Sequence, residues 1–124
     1  MNLLIIGLGG ALGAVLRYLS TMAAIRLFGP GFPWGTAFVN VAGSLVMGVV
    51  AVLLIEASVL RPQLALFAMT GVLGGFTTFS AFSLDAAQLI EAGRMGEATA
   101  YVVGSAGLAI AGLFIGLAIG RMLT

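Results

Sequence analysis

The segment that decides the fold reads GGFTTFSAFS and covers Gly74–Ser83. It lies inside an apolar run that extends from residue 62 to about residue 92. Two adjacent glycines followed by the β-branched residues Thr77 and Thr78 form a poor helix, so the sequence predicts an interruption near the middle of a membrane helix. An interrupted helix leaves backbone carbonyls free, and these can coordinate a cation where protein shields them from lipid.

The composition places the chain in a membrane. Of its 124 residues, 61% are hydrophobic and 7% are charged, and the mean hydropathy is +1.23. A crossing needs roughly 20 apolar residues, which leaves room for four or five helices and no separate soluble domain. The absence of cysteine and histidine excludes disulfides, thiolate and imidazole chemistry and most transition-metal sites. A net charge of +1 gives no indication of nucleic acid binding.

Turn residues divide the chain into four spans within a single integral membrane domain, residues 1–124. The turns are GPGFP at 29–33, EASVLRP at 56–62 and EAGRMGE at 91–97. They predict helices over 3–28, 34–55, 63–92 and 98–119. The first lacks a basic start and an A-x-A cleavage site, so we expect a retained helix rather than a signal peptide. Trp34 and Tyr101, near span ends, fit an interfacial aromatic belt.

The arginines do not favour one orientation in the membrane. With four crossings, Arg61 and Arg121 lie on one side, and Arg26 and Arg94 lie on the other. Because the Lys/Arg bias near helix ends sets topology, a balanced chain could insert either way round and associate as an antiparallel homodimer. The alternative is an accidental balance in a small set. Glycines at four-residue spacing, Gly9 and Gly13 and then Gly112, Gly116 and Gly120, indicate close helix packing.

Few polar residues fall within the apolar spans, and each is a functional candidate because burying it in lipid is costly. A single hydroxyl most often bonds the carbonyl one turn back, whereas the amide of Asn40 needs protein or water. No Asp or Glu is expected at mid-depth, which disfavours proton coupling. Donors without fixed negative charge suit a small anion that is conducted passively. The candidates are Arg17, Thr36, Asn40, Ser44, Thr77, Thr78, Ser80, Ser83, Tyr101 and Ser105.

Phe79 and Phe82 are three residues apart and therefore neighbours on one helix face. Their ring edges carry the positive end of the quadrupole and can face an anion. From spacing alone, two lipid-facing phenylalanines are the slightly favoured interpretation.

Three motifs in this order resemble the CrcB/Fluc family of fluoride channels: GGALGAVLRY at 9–18, WGTAFVNVAGSLVMG at 34–48 and GVLGGFTTFSAFS at 71–83. The resemblance covers nearly the whole chain. It implies a fluoride-selective channel of the bacterial inner membrane that passively exports cytoplasmic fluoride. It also implies an all-α fold of four transmembrane helices, the third broken near its middle, assembled as an antiparallel dual-topology homodimer in the lipid bilayer.

The resemblance also implies roles for individual residues. A structural sodium ion at the dimer centre would be held by the main-chain carbonyls of Gly74 and Thr77. Arg17 would have a vestibular or structural role. Ala81 stands where the family usually has threonine, which puts a pore contact there in doubt. The fluoride pore would be lined by Asn40, Phe79, Phe82, Thr36, Ser80, Ser83, Tyr101 and Ser105.

Two other function classes stay open at this stage. A small four-helix multidrug or cation antiporter would need a pH gradient, and a membrane scaffold would show no flux. An enzyme is not expected, because the chain lacks pairs of nucleophile and base.

Overall fold

The computed structural model describes residues 1–57 and 61–124 and is helical through most of them. Four helical spans follow one another along the chain: the first span Asn2–Phe28, the second Trp34–Glu56, the third Pro62–Glu91 and the fourth Met95–Met122. Each is long and apolar enough to cross a membrane. The described residues contain no strand. The prediction of an all-α protein with four membrane-crossing helices is therefore confirmed.

The fourth helix extends beyond the predicted range 98–119 at both ends. Its first turn contains Glu97 and its last turn contains Arg121, and each charge matches the helix dipole at its end. The helix therefore continues through polar residues that hydropathy alone does not count. The predicted turn at 56–62 falls partly on residues 58–60, which lie outside the described residues.

Two of the spans contain wider, π-helical turns. The second span is α-helical over Trp34–Ala51 and π-helical over Val52–Glu56. The third begins as an α-helix at Pro62–Ala65, continues as a π-helix over Leu66–Leu73 and returns to an α-helical turn at Gly74–Phe76. After two extended residues it continues as the α-helix Phe79–Glu91, which we call the C-terminal half-helix. Departures from the α-helix of this kind often occur near functional sites.

Glycines in the left-handed region end the first and third spans. Gly29 has φ 78° and Gly93 has φ 76°. At the second of these ends, the Gly93 N–H donates to the Ile90 carbonyl and the Arg94 N–H donates to the Leu89 carbonyl. This is the Schellman arrangement, which satisfies the last carbonyls of a helix and turns the chain back.

Close helix contacts depend on glycine, as the sequence predicts. The first span packs against the first part of the third, where a Cβ on Gly9 would lie 2.7 Å from the Phe67 carbonyl oxygen. The second packs against the fourth, where a Cβ on Gly116 would overlap the Leu45 carbonyl oxygen. The fourth-span glycines 112, 116 and 120 are all buried. The small-residue stripe of the fourth span is therefore used within the protomer.

The C-terminal half-helix is held mainly by the fourth span. Leu89 packs with Ala98 and Tyr101 in a small buried cluster, and Phe82 packs against this cluster from the same half-helix. Phe32, from the loop between the first two spans, also packs there. This contact positions the half-helix beside the polar residues described next.

Candidate functional site

The helical ladder of the third span is interrupted at two threonines. Thr77 has φ −82° and ψ 160°, and Thr78 has φ −156° and ψ 124°, both extended. Gly74 is helical, with φ −62° and ψ −38°. The interruption therefore falls on the threonines of the predicted stretch, one residue after the helical turn Gly74–Phe76 ends. Gly75 allows the first span to approach, because a Cβ on it would lie 2.6 Å from the Gly10 carbonyl oxygen.

Asn40 braces the interruption from the second span. Its Nδ2 donates to the Thr78 carbonyl over 2.9 Å, and its Oδ1 accepts from the Thr78 N–H over 2.8 Å. One side-chain amide thus replaces both helical partners of an extended residue. The prediction that this amide needs protein or water is confirmed, and the partner is protein.

The bonds around Thr78 also redirect two N–H groups. In a continuous helix, the Thr78 N–H would bond the Gly74 carbonyl and the Ala81 N–H would bond the Thr77 carbonyl. Here the first donates to Asn40 Oδ1, and the second donates to Thr78 Oγ1 over 3.1 Å. The carbonyls of Gly74 and Thr77 therefore both lose their regular helical donors. Among the described residues, no group of three or more His, Cys, Asp or Glu is placed to hold a metal ion.

The hydroxyls near the interruption are mostly engaged locally. Thr77 Oγ1 donates to the Leu73 carbonyl and Ser83 Oγ donates to the Phe79 carbonyl, each over 2.9 Å. Thr78 Oγ1 and Ser80 Oγ lie 3.3 Å apart. The carbonyl-bonding interpretation thus holds for Thr77 and Ser83. The protons of Thr77 and Ser83 thus point to main-chain carbonyls, whereas a single proton of the Thr78 and Ser80 pair lies between their two oxygens.

The two phenylalanines of the motif are neighbours with different surroundings. Their ring centroids lie 5.5 Å apart, with planes inclined by 42°. Phe82 is half-buried and packs against Tyr101 at a centroid distance of 5.2 Å. Phe79 is 79% exposed in the single chain. A surface outside this protomer, either lipid or protein, must therefore cover Phe79 in the membrane.

A buried polar cluster lies beside Phe82, where the second, third and fourth spans meet. Thr36, Tyr101 and Ser105 are buried. The Tyr101 hydroxyl donates to Asp85 Oδ2 over 3.2 Å, and the Phe32 ring meets the Tyr101 ring edge-on, with 5.6 Å between centroids. Tyr101 is 1% exposed, so its interpretation as an interfacial belt residue is wrong. We refer to Thr36, Asp85, Tyr101 and Ser105 as the polar cluster.

Asp85 is the residue of this cluster that the sequence interpretation missed. It falls near the end of the predicted span 63–92, and in the structure it lies inside the C-terminal half-helix Phe79–Glu91. The signal was its spacing, because Asp85 follows Phe82 by three residues and therefore shares its face. The structure thus brings this carboxylate to a buried hydroxyl of the fourth span, a contact that the sequence interpretation did not include.

Arg17 lies apart from the hydrogen bonds described above. Its side chain is half-buried, and its Nε atom is buried without a hydrogen-bond partner among residues 1–57 and 61–124. At the ends of the spans, two other arginines form ion pairs: Arg94 with Glu97, and Arg121 with Glu56. Hydrogen bonding to Glu97 raises the pKa of Arg94.

Two cavities adjoin the polar cluster. A cavity of about 230 Å³ is lined by Thr36 and Asp85 together with Gln88, Arg94 and the loop between the first two spans. We call it the mouth cavity. A larger groove of about 840 Å³ lies between the first, second and fourth spans, and Tyr101, Ser105 and Ser20 supply its few polar side chains. The cluster therefore contributes Thr36 and Asp85 to the mouth cavity and Tyr101 and Ser105 to the apolar groove.

The predicted site residues thus fall into two groups. Asn40 lies at the interruption, next to Phe79 and the neighbouring hydroxyls, while Thr36, Tyr101 and Ser105 form the cluster with Asp85. Phe82 links the two groups through its contacts with Phe79 and Tyr101. Residues 4–117 match the family model described as CrcB-like protein, Camphor Resistance (CrcB). The chain belongs to the CrcB family.

Full-length relatives support this membership. The chain is 49% identical over 120 residues to the "Fluoride-specific ion channel FluC" of Rhizobium meliloti, with 97% of this chain and 96% of the relative covered. It is 56% identical over 117 residues to the protein of the same name from Cereibacter sphaeroides, covering 94% and 92%. It is 53% identical over 125 residues to "Fluoride-specific ion channel FluC 2" of Nitrobacter hamburgensis, covering 100% of both. The resemblance to the CrcB/Fluc family is confirmed.

These relatives are named as channels, not as enzymes, which agrees with the expectation that this CrcB-family chain is not an enzyme. With its four spans, the chain is a multi-pass membrane protein.

Proposed function

We propose that this protein is a fluoride-selective channel that lets fluoride leave the bacterial cytoplasm down its own gradient. The observation that carries the proposal is the similarity, over nearly the whole chain, to relatives named fluoride-specific ion channels. The geometry supports it, because aromatic rings and buried hydroxyls form a connected series from Phe79 to Ser105.

The proposed path suits a small, strongly hydrated anion. Fluoride must exchange water for closely spaced donors, and a full positive charge in the path would hold it too tightly to conduct. The edges of Phe79 and Phe82 supply weak positive potential, and hydroxyl and amide groups supply hydrogen bonds. Asn40, Ser80 and Ser83 would act near the interruption, and Thr36, Tyr101 and Ser105 beyond Phe82. A larger halide would fit such spacing poorly.

Arg17 has a different part in this proposal. Its half-buried guanidinium, with an unbonded Nε, suits an approach to the path or a contact with a second subunit. We assign it a vestibular or structural role, because a guanidinium within the narrow path would trap the anion.

The interruption of the third span further suits a structural sodium ion, because Na⁺ is a hard cation that prefers oxygen ligands. The carbonyls of Gly74 and Thr77 lack their regular helical donors, and the Gly74 position is exposed in the single chain. Two such carbonyls from each of two protomers would supply four oxygens. Bound sodium would fix the broken third helix at the centre of the assembly. Sodium analysis of protein purified in sodium-free buffer should find retained ion, and its absence would contradict this assignment.

An antiparallel homodimer completes the proposal. Basic residues near the span ends are balanced between the two sides, and Phe79 is 79% exposed at the interruption. A partner inserted in the opposite direction would cover that ring and bring a second interruption to the first. Two copies would also enclose a polar path that one small four-helix protomer cannot.

The test is fluoride efflux from liposomes that contain only this protein. We expect efflux to depend on valinomycin, because net movement of fluoride carries current that potassium must balance. Efflux should persist without a pH gradient. The structure places Asp85 in the third span, so a proton-coupled antiporter is the alternative to exclude. Transport that stops when the pH gradient collapses would favour that antiporter, and absence of any flux would favour a scaffold.

A further inference from the structure

The mouth cavity shares residues with the polar cluster and is therefore continuous with it. Thr36 and Asp85 line the cavity and also belong to the cluster around Tyr101. The cavity wall farther from the cluster includes Gln88 and Arg94, where the third span ends and the fourth begins. An ion leaving the buried hydroxyls in this direction would pass Arg94 on its way to water.

Two charged side chains of opposite sign line this cavity, and their hydrogen-bond partners differ in charge. Asp85 accepts a hydrogen bond from the Tyr101 hydroxyl, which carries no charge. Arg94 forms a two-point ion pair with Glu97, and its Nη2 donates to Oε1 over 2.6 Å. Arg94 and Glu97 are 37% and 49% exposed, so water weakens their attraction and the pair can open.

We infer that Arg94 sets the electrostatic potential at this mouth of the path and that Glu97 reduces it. This inference rests on the proposed fluoride channel. A cationic group at the wall of a cleft raises the local concentration of anions, and a neighbouring carboxylate cancels part of that effect. Passive flux at low fluoride concentration follows the local concentration, so the ion pair adjusts conduction without lying in the narrow path.

The fourth span provides a matched control at its opposite end. Arg121 pairs with Glu56 through two hydrogen bonds of 2.9 and 3.1 Å. This pair has the same chemistry and similar exposure. It lines neither of the two cavities described above. Arg121→Gln and Glu56→Gln therefore test for general effects of losing a surface ion pair.

The experiment measures fluoride efflux from liposomes at two ionic strengths set with a large, impermeant anion. At about 0.01 M the Debye length is about 30 Å, and at about 1 M it is about 3 Å. We expect Arg94→Gln to lower initial efflux about two- to threefold at low ionic strength, and Glu97→Gln to raise it by a similar factor. Both effects should vanish at high ionic strength, and both control variants should match the wild type.

The two variants are expected to change efflux in opposite directions, which excludes misfolding as the explanation. A misfolded Glu97→Gln variant could not conduct faster than the wild type. Equal efflux from Arg94→Gln and wild type at low ionic strength would overturn the inference while leaving the channel intact. A loss that persists at high ionic strength would also overturn it, since that would indicate a structural role. A wild-type protein that conducts no fluoride would instead refute the proposed function itself.

Discussion

At the scale of single residues, Asn40 holds the interruption in place with one amide. Asn40→Asp keeps the shape but can only accept hydrogen bonds, so it sets a carboxylate oxygen against the Thr78 carbonyl. Asn40→Ala removes both bonds. We expect Asn40→Ala to lower the free energy of unfolding by about 2 kcal/mol, because each lost bond contributes about 1 kcal/mol. Asn40→Asp loses one bond and adds repulsion between two oxygens, so we expect a loss of similar size.

Fluoride flux and stability should fall together in the Asn40 variants, since Asp also adds a negative charge that repels the anion. The measurement is denaturant unfolding in detergent alongside efflux from liposomes. Ser44→Ala, one turn farther along the same face of the second span, is the matched control. Full conduction by Asn40→Asp would mean that this amide is needed neither to hold the interruption nor to conduct fluoride.

The two rings of the motif allow a second prediction at this scale. Phe79→Ile and Phe82→Ile keep an apolar side chain but remove the ring edge that would face an anion. We expect fluoride efflux to fall roughly tenfold or more in each, equivalent to about 1.4 kcal/mol in the barrier. Phe114→Ile, on the 65% exposed ring of the fourth span, should conduct normally.

Stability should separate the two ring variants. Phe82 packs on the buried Tyr101, whereas Phe79 is exposed in the protomer. Phe82→Ile should therefore unfold more easily than Phe79→Ile, even where both lose conduction. Wild-type efflux from both variants would mean that the rings lie outside the path.

At the scale of the helices, the adjacent glycines of the third span differ in their packing contacts. A Cβ on Gly75 would press on the Gly10 carbonyl oxygen of the first span, whereas a Cβ on Gly74 meets only the Met69 carbonyl oxygen at 3.5 Å. Gly75→Ala should therefore lower the unfolding free energy by about 1–3 kcal/mol, the usual cost of overpacking. Gly74→Ala should change the folding of a single protomer little.

Denaturant unfolding of the purified Gly74→Ala and Gly75→Ala variants compares their unfolding free energies. An equal loss in both would contradict the separation and would mean that a surface outside the described residues covers Gly74.

The spans could be predicted from sequence because hydropathy and turn residues act locally. The glycine contacts could be predicted as well, since spacing fixes which residues share a helix face. The exact position of the interruption could not be predicted, because it depends on Asn40 of the second span, which bonds Thr78 from another helix. The bond between Tyr101 and Asp85 could not be predicted for a related reason: distance from a span end does not reveal that two side chains meet across helices.

At the scale of the whole molecule, the balance of arginines bears on the orientation of the chain in the membrane. Arg26 and Arg94 near one pair of ends match Arg61 and Arg121 near the other, so we expect neither orientation to be favoured in the membrane. An antiparallel dimer requires both orientations in one population. Adding positive charge to one side only should therefore remove one orientation and prevent the dimer from forming.

The exposed span ends offer sites for this experiment outside the narrow part of the path. Gln63→Lys with Thr124→Lys adds charge on the Arg61 side, and Glu91→Lys with Gly96→Lys adds it on the opposite side. Each double variant alone should give cells little fluoride efflux, because all copies insert the same way. Expressed together, they should restore efflux, since each supplies the orientation that the other lacks. Full activity of either double variant alone would exclude an antiparallel assembly, because a population of one orientation cannot form one.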